Sequence, residues 1–122
     1  MASILRVNTL TDASSNNSVA TSTIFEGTNK AWIYTNAAGT TINDSFNVTT
    51  LTDTGTGQQQ YTYTNNMNTD NNSVTATHVQ DGAGREFVRN ISTTGHQQWC
   101  YKVASSAYYD MSMCSHVCGD LA

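Results

Sequence analysis

The sequence has little charge: charged residues make up 11% of its 122 residues, against roughly 25% in an ordinary soluble domain. Threonine, asparagine and serine replace the missing charge and together make up more than a third of the chain. Threonine is β-branched, and asparagine and serine compete for backbone hydrogen bonds, so all three disfavour helix. This composition predicts strands joined by turns. Two Trp, six Tyr and three Phe indicate a folded chain rather than a disordered one.

The sequence also lacks a cluster of basic residues and a long apolar run. Its formal net charge is −4, and because phosphate binding requires clustered Lys and Arg, nucleic acid is not an expected partner. No apolar segment approaches the ~20 residues that span a bilayer, so membrane insertion is not expected. The first seven residues lack the basic and then apolar layout of a signal peptide, so we expect synthesis in a cytoplasm, with the three cysteines reduced there.

Alternation of apolar and polar residues is the main pattern along the chain. It predicts an all-β fold, an antiparallel β-sandwich of about seven or eight short strands, with no helix and no internal repeat. The predicted strands of the sandwich cover residues 21–25, 29–36, 41–51, 58–64, 73–79, 86–92, 97–103 and 109–118.

The clearest of these strands is 41–51, where Ile42, Phe46 and Val48 are expected on one face. The segment 53–57 contains two glycines and predicts a turn into the strand 58–64. The two strands are therefore expected to form a hairpin.

The N-terminus predicts an extended arm. Ile4, Leu5, Val7 and Leu10 are followed by a polar stretch, so they cannot bury themselves against neighbouring residues in the sequence. Such a terminus is either frayed or docked on another chain, and docking explains why apolar residues are kept there. We therefore divide the chain into an arm and linker, residues 1–20, and a sandwich domain, residues 21–122.

Alternating cysteine and histidine near the C-terminus raise the question of a metal. Cys114, His116 and Cys118 would lie on one face of a strand, and Cys100 on the preceding predicted strand could supply a fourth soft ligand. Structural zinc sites, however, normally place their ligands as close pairs on turns. We therefore expect no metal and no cofactor, and interpret these residues as small, partly buried strand residues in a reducing cytoplasm. A Cys100–Cys114 disulfide is better supported than a metal once the protein leaves that compartment, although the sequence does not define its geometry.

No catalytic motif stands out. His78, His96 and His116 have no Gly-x-Ser-x-Gly elbow as a partner, and serine and threonine are too numerous to single one out. Among the carboxylates, Asp53 and Asp81 lie in predicted turns, where Asp commonly caps the backbone. The chain is therefore not expected to be an enzyme.

Four aromatic residues concentrate towards the C-terminal end: Trp99, Tyr101, Tyr108 and Tyr109. One interpretation is a glycan-stacking patch. The other is core or inter-subunit packing, in which Trp and Tyr are also enriched. Both interpretations stay open at the level of sequence.

Three stretches resemble a family of small virion and tail-fibre proteins of marine and cyanobacterial phages: the opening 2–10, the middle block 30–33 with 44–57, and the terminal 119–122. They follow the order found in the family and frame nearly the whole chain. The resemblance implies a β-rich head domain, usually trimeric, on a fibre, spike or other virion appendage, and it brings no catalytic motif. The last strand departs from the family, in which it is apolar or aromatic, because here it carries Cys114, His116 and Cys118.

These observations predict a phage virion protein made in the bacterial host: a homotrimeric short tail fibre or spike that docks on other virion proteins through residues 1–12. The main alternative is a capsid decoration protein that stiffens the head lattice. A glycan-binding or depolymerising module, contacting a host surface glycan, is a third hypothesis from a different class.

Overall fold

The computed structural model of the chain describes residues 6–14, 18–79 and 84–122. In these residues the chain forms eleven strands, one α-helix and a 3-10 turn at Val103–Ser105. The elements are β1 (Thr9–Thr11), β2 (Ser18–Ala20), α1 (Thr21–Gly27), β3 (Asn29–Thr35), β4 (Ile42–Phe46), β5 (Val48–Gly55), β6 (Gln58–Tyr63), β7 (Ser73–His78), β8 (Gly84–Arg89), β9 (Gly95–Lys102), β10 (Ala107–Tyr108) and β11 (Met113–Cys118). No helix in the described ranges is long and apolar enough to cross a membrane.

Two antiparallel sheets form the body of the molecule, which confirms the all-β sandwich predicted from composition and alternation. One sheet has the strand order β4-β3-β11-β7. The other has the order β10-β9-β6-β5. Strand β8 also belongs to it and pairs with β9 on the edge opposite to β6 and β10. Hydrogen bonds between side chains join the inner faces: Thr35 Oγ1 donates to Gln59 Oε1 at 2.7 Å, and His96 Nε2 lies 3.0 Å from Ser115 Oγ.

Asn47 divides the segment 41–51, which the sequence predicts as a single strand. It has φ 57°, in the left-handed region, so the extended chain is interrupted there. Its side chain donates to the carbonyl of Lys30 at 2.9 Å and accepts from the amide of Asn65 at 2.7 Å. The residues before Asn47 therefore pair with β3 in one sheet, and those after it pair with β6 in the other. The predicted common face is wrong, because Phe46 is exposed.

The hairpin predicted between the strands near 41–51 and 58–64 is confirmed as β5 and β6. Asp53 Oδ1 accepts from the amide of Gly55, and Gly57 has φ 66°. A Cβ at Gly57 would lie 2.6 Å from the amide nitrogen of Tyr109, so this position requires glycine for space as well as for backbone conformation. Tyr61 and Tyr63 share a face of β6, as predicted, and both are buried.

Residues 21–25 are not the strand that their β-branched side chains predict: they begin α1, so the expectation of a chain without helix is wrong. Contacts outside the helix stabilise it. At its start, the amide of Thr21 donates to the carbonyl of Asn8 at 2.9 Å. At its end, the carbonyl of Phe25 accepts from Thr28 Oγ1 and from Lys30 Nζ. These contacts satisfy helix-terminal groups that otherwise have no partner within the helix.

The predicted last strand, 109–118, begins four residues late. Ser106 has φ 50° and closes the 3-10 turn, after which only Ala107–Tyr108 pair with β9 as β10. Tyr109 still donates its amide to the carbonyl of Cys100 in β9, and Asp110 Oδ1 accepts from the amide of Gly57; the chain leaves this sheet after them. The chain then crosses to the other sheet, where β11 lies between β3 and β7.

The interior between the sheets is unusually polar. Nine hydrophobic residues of the described chain are buried, against eleven large hydrophobic residues that are exposed. A buried polar layer lies beside them. In this layer, Tyr61 donates to Gln59 Oε1 at 3.0 Å, and Gln98 Nε2 donates to the carbonyl of Thr77 at 3.1 Å. Hydrogen bonds therefore replace part of the apolar packing that usually joins two sheets.

The N-terminal strands β1 and β2 pair with each other as a separate two-stranded sheet and belong to neither sheet of the sandwich. Residues 11–18, predicted as a linker or loop, contribute strand residues at both ends. The division of the chain at residue 20 stays a prediction.

Candidate functional site

An aromatic surface lies on the outer side of β8, β9 and β10. In β9 the side chains alternate, so His96, Gln98 and Cys100 are buried between the sheets while Trp99 and Tyr101 lie on the opposite face. The ring of Tyr108 meets both: its centroid lies 5.4 Å from that of Trp99 and 5.6 Å from that of Tyr101, each in an edge-to-face arrangement.

The structure thus brings together three of the four aromatic residues that the sequence singled out. Tyr109 lies beyond the end of β10, and in the described residues its ring contact is with Lys102, whose Nζ is 4.9 Å from the ring centroid. The stack of Trp99, Tyr101 and Tyr108 is held together because edge-to-face pairs are favoured by the charge distribution of aromatic rings.

Sequence reasoning missed the contribution of β8 to this surface. Phe87 is the cross-strand partner of Trp99 and is exposed, and the guanidinium carbon of Arg89 lies 4.5 Å from the Trp99 ring centroid. The alternation of Arg85, Phe87 and Arg89 was the available signal, but it becomes informative only once the register between β8 and β9 is known. We call Phe87, Arg89, Trp99, Tyr101 and Tyr108 the aromatic face.

Amide side chains border the aromatic face. Gln97 Oε1 accepts from the indole nitrogen of Trp99 at 3.2 Å and from Asn90 Nδ2 at 2.7 Å. Gln97 Nε2 in turn donates to Gln60 at 3.1 Å. Rings bordered by amides and a guanidinium can stack on the apolar face of a sugar or pack against a protein.

A second exposed apolar region lies in the N-terminal unit, residues 6–14 and 18–27. Val7 is 39% exposed, Leu10 44%, Ile24 37% and Phe25 48%. Leu10 also lines a shallow concavity between β1 and β2. Two further residues of the predicted docking arm, Ile4 and Leu5, lie outside the described residues.

The four residues weighed as metal ligands do not come together. Cys114, His116 and Cys118 lie on the outer face of β11, where His116 Nδ1 is 3.0 Å from Asn29 Nδ2. Cys100 is buried between the sheets, with its thiol 3.3 Å from the sulfur of Met111. The suggested Cys100–Cys114 disulfide is wrong: both thiols are free, and Cys100 lies on the inner face of the five-stranded sheet whereas Cys114 lies on the outer face of the four-stranded sheet. Burial raises the pKa of the Cys114 thiol.

His96 is hydrogen-bonded on both ring nitrogens. Its Nδ1 lies 2.9 Å from the Tyr63 hydroxyl and its Nε2 lies 3.0 Å from Ser115 Oγ. A serine beside a histidine is a common nucleophile–base arrangement, but all three side chains are buried here, so a substrate has no access to them. Burial lowers the pKa of His96 to about 4 and raises the pKa of Tyr63, so both are neutral at pH 7. This trio links the two sheets.

Comparison of the chain with protein-family models, with curated proteins and with solved structures finds no match. The aromatic face and the N-terminal unit are therefore the features from which a function can be argued.

Proposed function

We propose that this chain is a non-enzymatic structural protein of a phage virion, a homotrimeric short tail fibre or spike that docks on other virion proteins through its N-terminal segment. The resemblance of residues 2–10, 30–33 with 44–57, and 119–122 to small virion and tail-fibre proteins of phages supports the virion assignment. The observation that carries the docking is the exposure of Val7, Leu10, Ile24 and Phe25 within about twenty residues.

Exposed apolar side chains at this density favour burial against another surface. Each Å² of apolar surface removed from water contributes roughly 25 cal/mol, and a Leu or Phe side chain contributes ~1.5–3 kcal/mol when fully buried. Leu10 and Phe25 are each nearly half exposed. Leu10 lies in the two-stranded sheet of β1 and β2, which belongs to neither sheet of the sandwich, and Phe25 lies in the adjoining helix α1.

The sandwich body supports assembly for a related reason. Its buried hydrophobic set is small, and a domain of this size buries only about two thirds of its unfolded surface. Contacts between subunits would supply burial that one chain alone does not reach. The aromatic face is the subunit contact that fits best, because Trp, Tyr, Phe and Arg are the residues enriched at the centres of protein interfaces.

The decisive experiment locates and counts the protein in purified particles of the phage that encodes it, by quantitative mass spectrometry and gold labelling. A fibre or spike predicts a few dozen copies or fewer at the tail. Hundreds of copies spread over the head would overturn the fibre proposal in favour of the capsid decoration alternative. Absence from particles would reject both.

A matched pair of variants tests docking through the N-terminal unit. Leu10→Ser is expected to reduce incorporation into particles at least tenfold while leaving the unfolding midpoint within the range of ordinary surface substitutions. Ile91→Ser, at an exposed apolar residue outside this unit, is expected to incorporate normally. Equal incorporation of the two variants would contradict the proposed docking element.

A glycan-binding module is the second candidate, and the aromatic face is the observation that favours it. Stacking rings with amide and guanidinium groups at their edges suit the apolar face and hydroxyls of a sugar. Glycan-array binding that is lost in Trp99→Ala but kept in Trp32→Ala would support this function. A depolymerising activity ranks below it, because glycoside hydrolysis uses a pair of carboxylates and no motif in the sequence singles out such a pair.

A further inference from the structure

We propose that His78, Glu86 and Cys100 form a binding site for a single zinc-like divalent metal ion at the edge of the sandwich. The three ligand atoms, an imidazole nitrogen, a carboxylate oxygen and a sulfur, all lie within 4.8 Å of one another. This site goes beyond the proposed structural role and does not depend on it.

Three strands from both sheets bring these residues together. Glu86 in β8 and Cys100 in β9 are direct cross-strand partners, so their side chains lie on the same inner face of the five-stranded sheet. His78 ends β7 in the four-stranded sheet and reaches across to them, and its Nδ1 contacts Glu86 Oε1. An ion bound here would therefore join the two sheets.

The donor set matches zinc. Zinc binds thiolate sulfur, imidazole nitrogen and carboxylate oxygen at about 2.0–2.3 Å, in tetrahedral sites whose ligand atoms lie roughly 3.5 Å apart. These atoms lie within 4.8 Å of one another, and His78 Nδ1 and Glu86 Oε1 are in contact, so the first two must separate and Cys100 Sγ must approach, by movements of about 1–2 Å. One thiolate and one carboxylate also neutralise the charge of a divalent ion, which favours a site with little solvent.

The surroundings supply a further ligand atom and a route from solvent. Met111 places a thioether sulfur 3.3 Å from Cys100 Sγ, so a fourth, weaker ligand is adjacent. Gly84 lies over the cluster: a Cβ there would be 3.3 Å from Cys100 Sγ and 3.3 Å from His78 Cε1. The side chains of His78 and Glu86 are 17% and 19% exposed, so the site can be reached from solvent while Cys100 lies inside.

Cys100 would bind an ion as the thiolate, because the thiolate and not the thiol is the ligand form, so zinc binding is expected to release a proton. The sequence suggested different partners for Cys100, because Cys114, His116 and Cys118 alternate along one strand. The partners in the structure, His78 and Glu86, come from two separate strands, β7 and β8.

Metal titration of the full chain, freed of metal by a chelator, tests the site. Zinc is titrated in competition with a chromophoric chelator, and cobalt is used as a spectroscopic probe. We expect one equivalent of zinc to bind and cobalt to give a thiolate-to-metal charge-transfer band. His78→Gln and Cys100→Ser are expected to weaken zinc binding about 100-fold or more and, for Cys100→Ser, to remove the band.

Matched controls lie on the outer face of β11. Cys114→Ser and His116→Gln change the same residue types and are expected to leave zinc affinity unchanged. Gly84→Ala keeps every ligand but fills the space over the cluster, so it is expected to weaken binding while the metal-free chain unfolds at a similar urea concentration. If Cys100→Ser does not fold, His78→Gln and Glu86→Gln, at partly exposed positions, give the same answer.

Three outcomes would overturn the site: no zinc binding by the wild-type chain at 100-fold molar excess, binding that survives both His78→Gln and Glu86→Gln, or binding that is lost in Cys114→Ser or His116→Gln. The last outcome would place the metal on the outer face of β11.

Discussion

His96 and Ser115 connect the two sheets of the sandwich through a hydrogen bond of 3.0 Å between Nε2 and Oγ. The histidine belongs to β9 and the serine to β11, and both are buried. The second ring nitrogen of His96 faces the Tyr63 hydroxyl at 2.9 Å. A neutral imidazole, with one donor and one acceptor nitrogen, satisfies this pair of contacts.

Stability is therefore expected to fall in mild acid. The folded-state pKa of His96 is lowered to about 4, whereas an unfolded histidine has a pKa near 6.5. Well above pH 6.5 neither state binds the proton, and the contribution of His96 to the free energy of unfolding is complete. As the pH falls from about 6.5 to 4, the unfolded state binds a proton that the folded state does not bind. The free energy of unfolding therefore falls by about 3 kcal/mol. Urea unfolding between pH 7.5 and 4.5 measures this loss.

His116→Gln is the control for this pH dependence, because His116 is exposed on the outer face of β11. It should retain the wild-type slope, whereas His96→Gln should be less stable at pH 7 and flatter between pH 6.5 and 4.5. Parallel slopes for wild type and His96→Gln would assign the acid sensitivity to other groups.

Asn47 is expected to be the most sensitive polar residue on the surface of the sandwich. Replacing it with alanine removes side-chain hydrogen bonds to Lys30 and Asn65 and leaves a Cβ residue at φ 57°. The expected loss is about 2–4 kcal/mol. Asn47→Gly loses the same hydrogen bonds but tolerates the backbone conformation, so it should be about 1 kcal/mol more stable than Asn47→Ala. Urea unfolding of the two variants measures this difference. A lower midpoint for Asn47→Gly than for Asn47→Ala would contradict the proposed cost of a left-handed alanine.

Gly57 and Gly27 form a contrasting pair of glycines. A Cβ at Gly57 would meet the backbone of Tyr109 and Cys100 within 2.7 Å, and φ is 66°, so Gly57→Ala is expected to lose about 3 kcal/mol or more. At Gly27, the last residue of α1, nothing lies within 4 Å of an added Cβ. Gly27→Ala should therefore be neutral or stabilising by up to ~1 kcal/mol. Thermal unfolding of both variants provides the comparison; equal losses would show that the close approach at Gly57 is relieved by rearrangement.

Substitution of Thr35 tests how much the hydrogen bonds of the buried polar layer contribute to stability. Its hydroxyl donates to Gln59 Oε1 at 2.7 Å and accepts from the amide of Met113 at 3.3 Å. Thr35→Val keeps the shape but removes both hydrogen bonds, so a loss of ~1–3 kcal/mol is expected. Thr52→Val, on the exposed side of β5, should stay within ~0.5 kcal/mol of wild type. A neutral Thr35→Val would mean that apolar packing, rather than hydrogen bonding, joins the sheets at this point.

The fold class could be predicted from the sequence because alternation and composition both favour strands. The passage of the chain from one sheet to the other at Asn47 could not be predicted. An asparagine in a Thr- and Asn-rich segment gives no sign that it will adopt a left-handed conformation. The helix α1 could not be predicted either: it depends on contacts with Asn8 and Lys30 that are made only in the folded chain. Local propensity yields to tertiary contacts in both cases.

The candidate sites were also predictable from the sequence only in part. Trp99, Tyr101 and Tyr108 could be grouped from their nearness in the sequence, and they do meet. Phe87 and Arg89 join them only through the register of β8 on β9. The cluster of His78, Glu86 and Cys100 depends on contact between two sheets, which no spacing along the chain expresses.

The polar interior also has a consequence for how stability responds to temperature. Exposure of apolar surface raises the heat capacity of the unfolded state and exposure of polar surface lowers it. A core in which Gln59, Gln98, His96, Ser115 and Thr35 replace aliphatic side chains therefore gives a smaller heat-capacity change than a sandwich of equal size filled with valine and leucine. A correspondingly broad stability curve is expected, with little loss of stability on cooling.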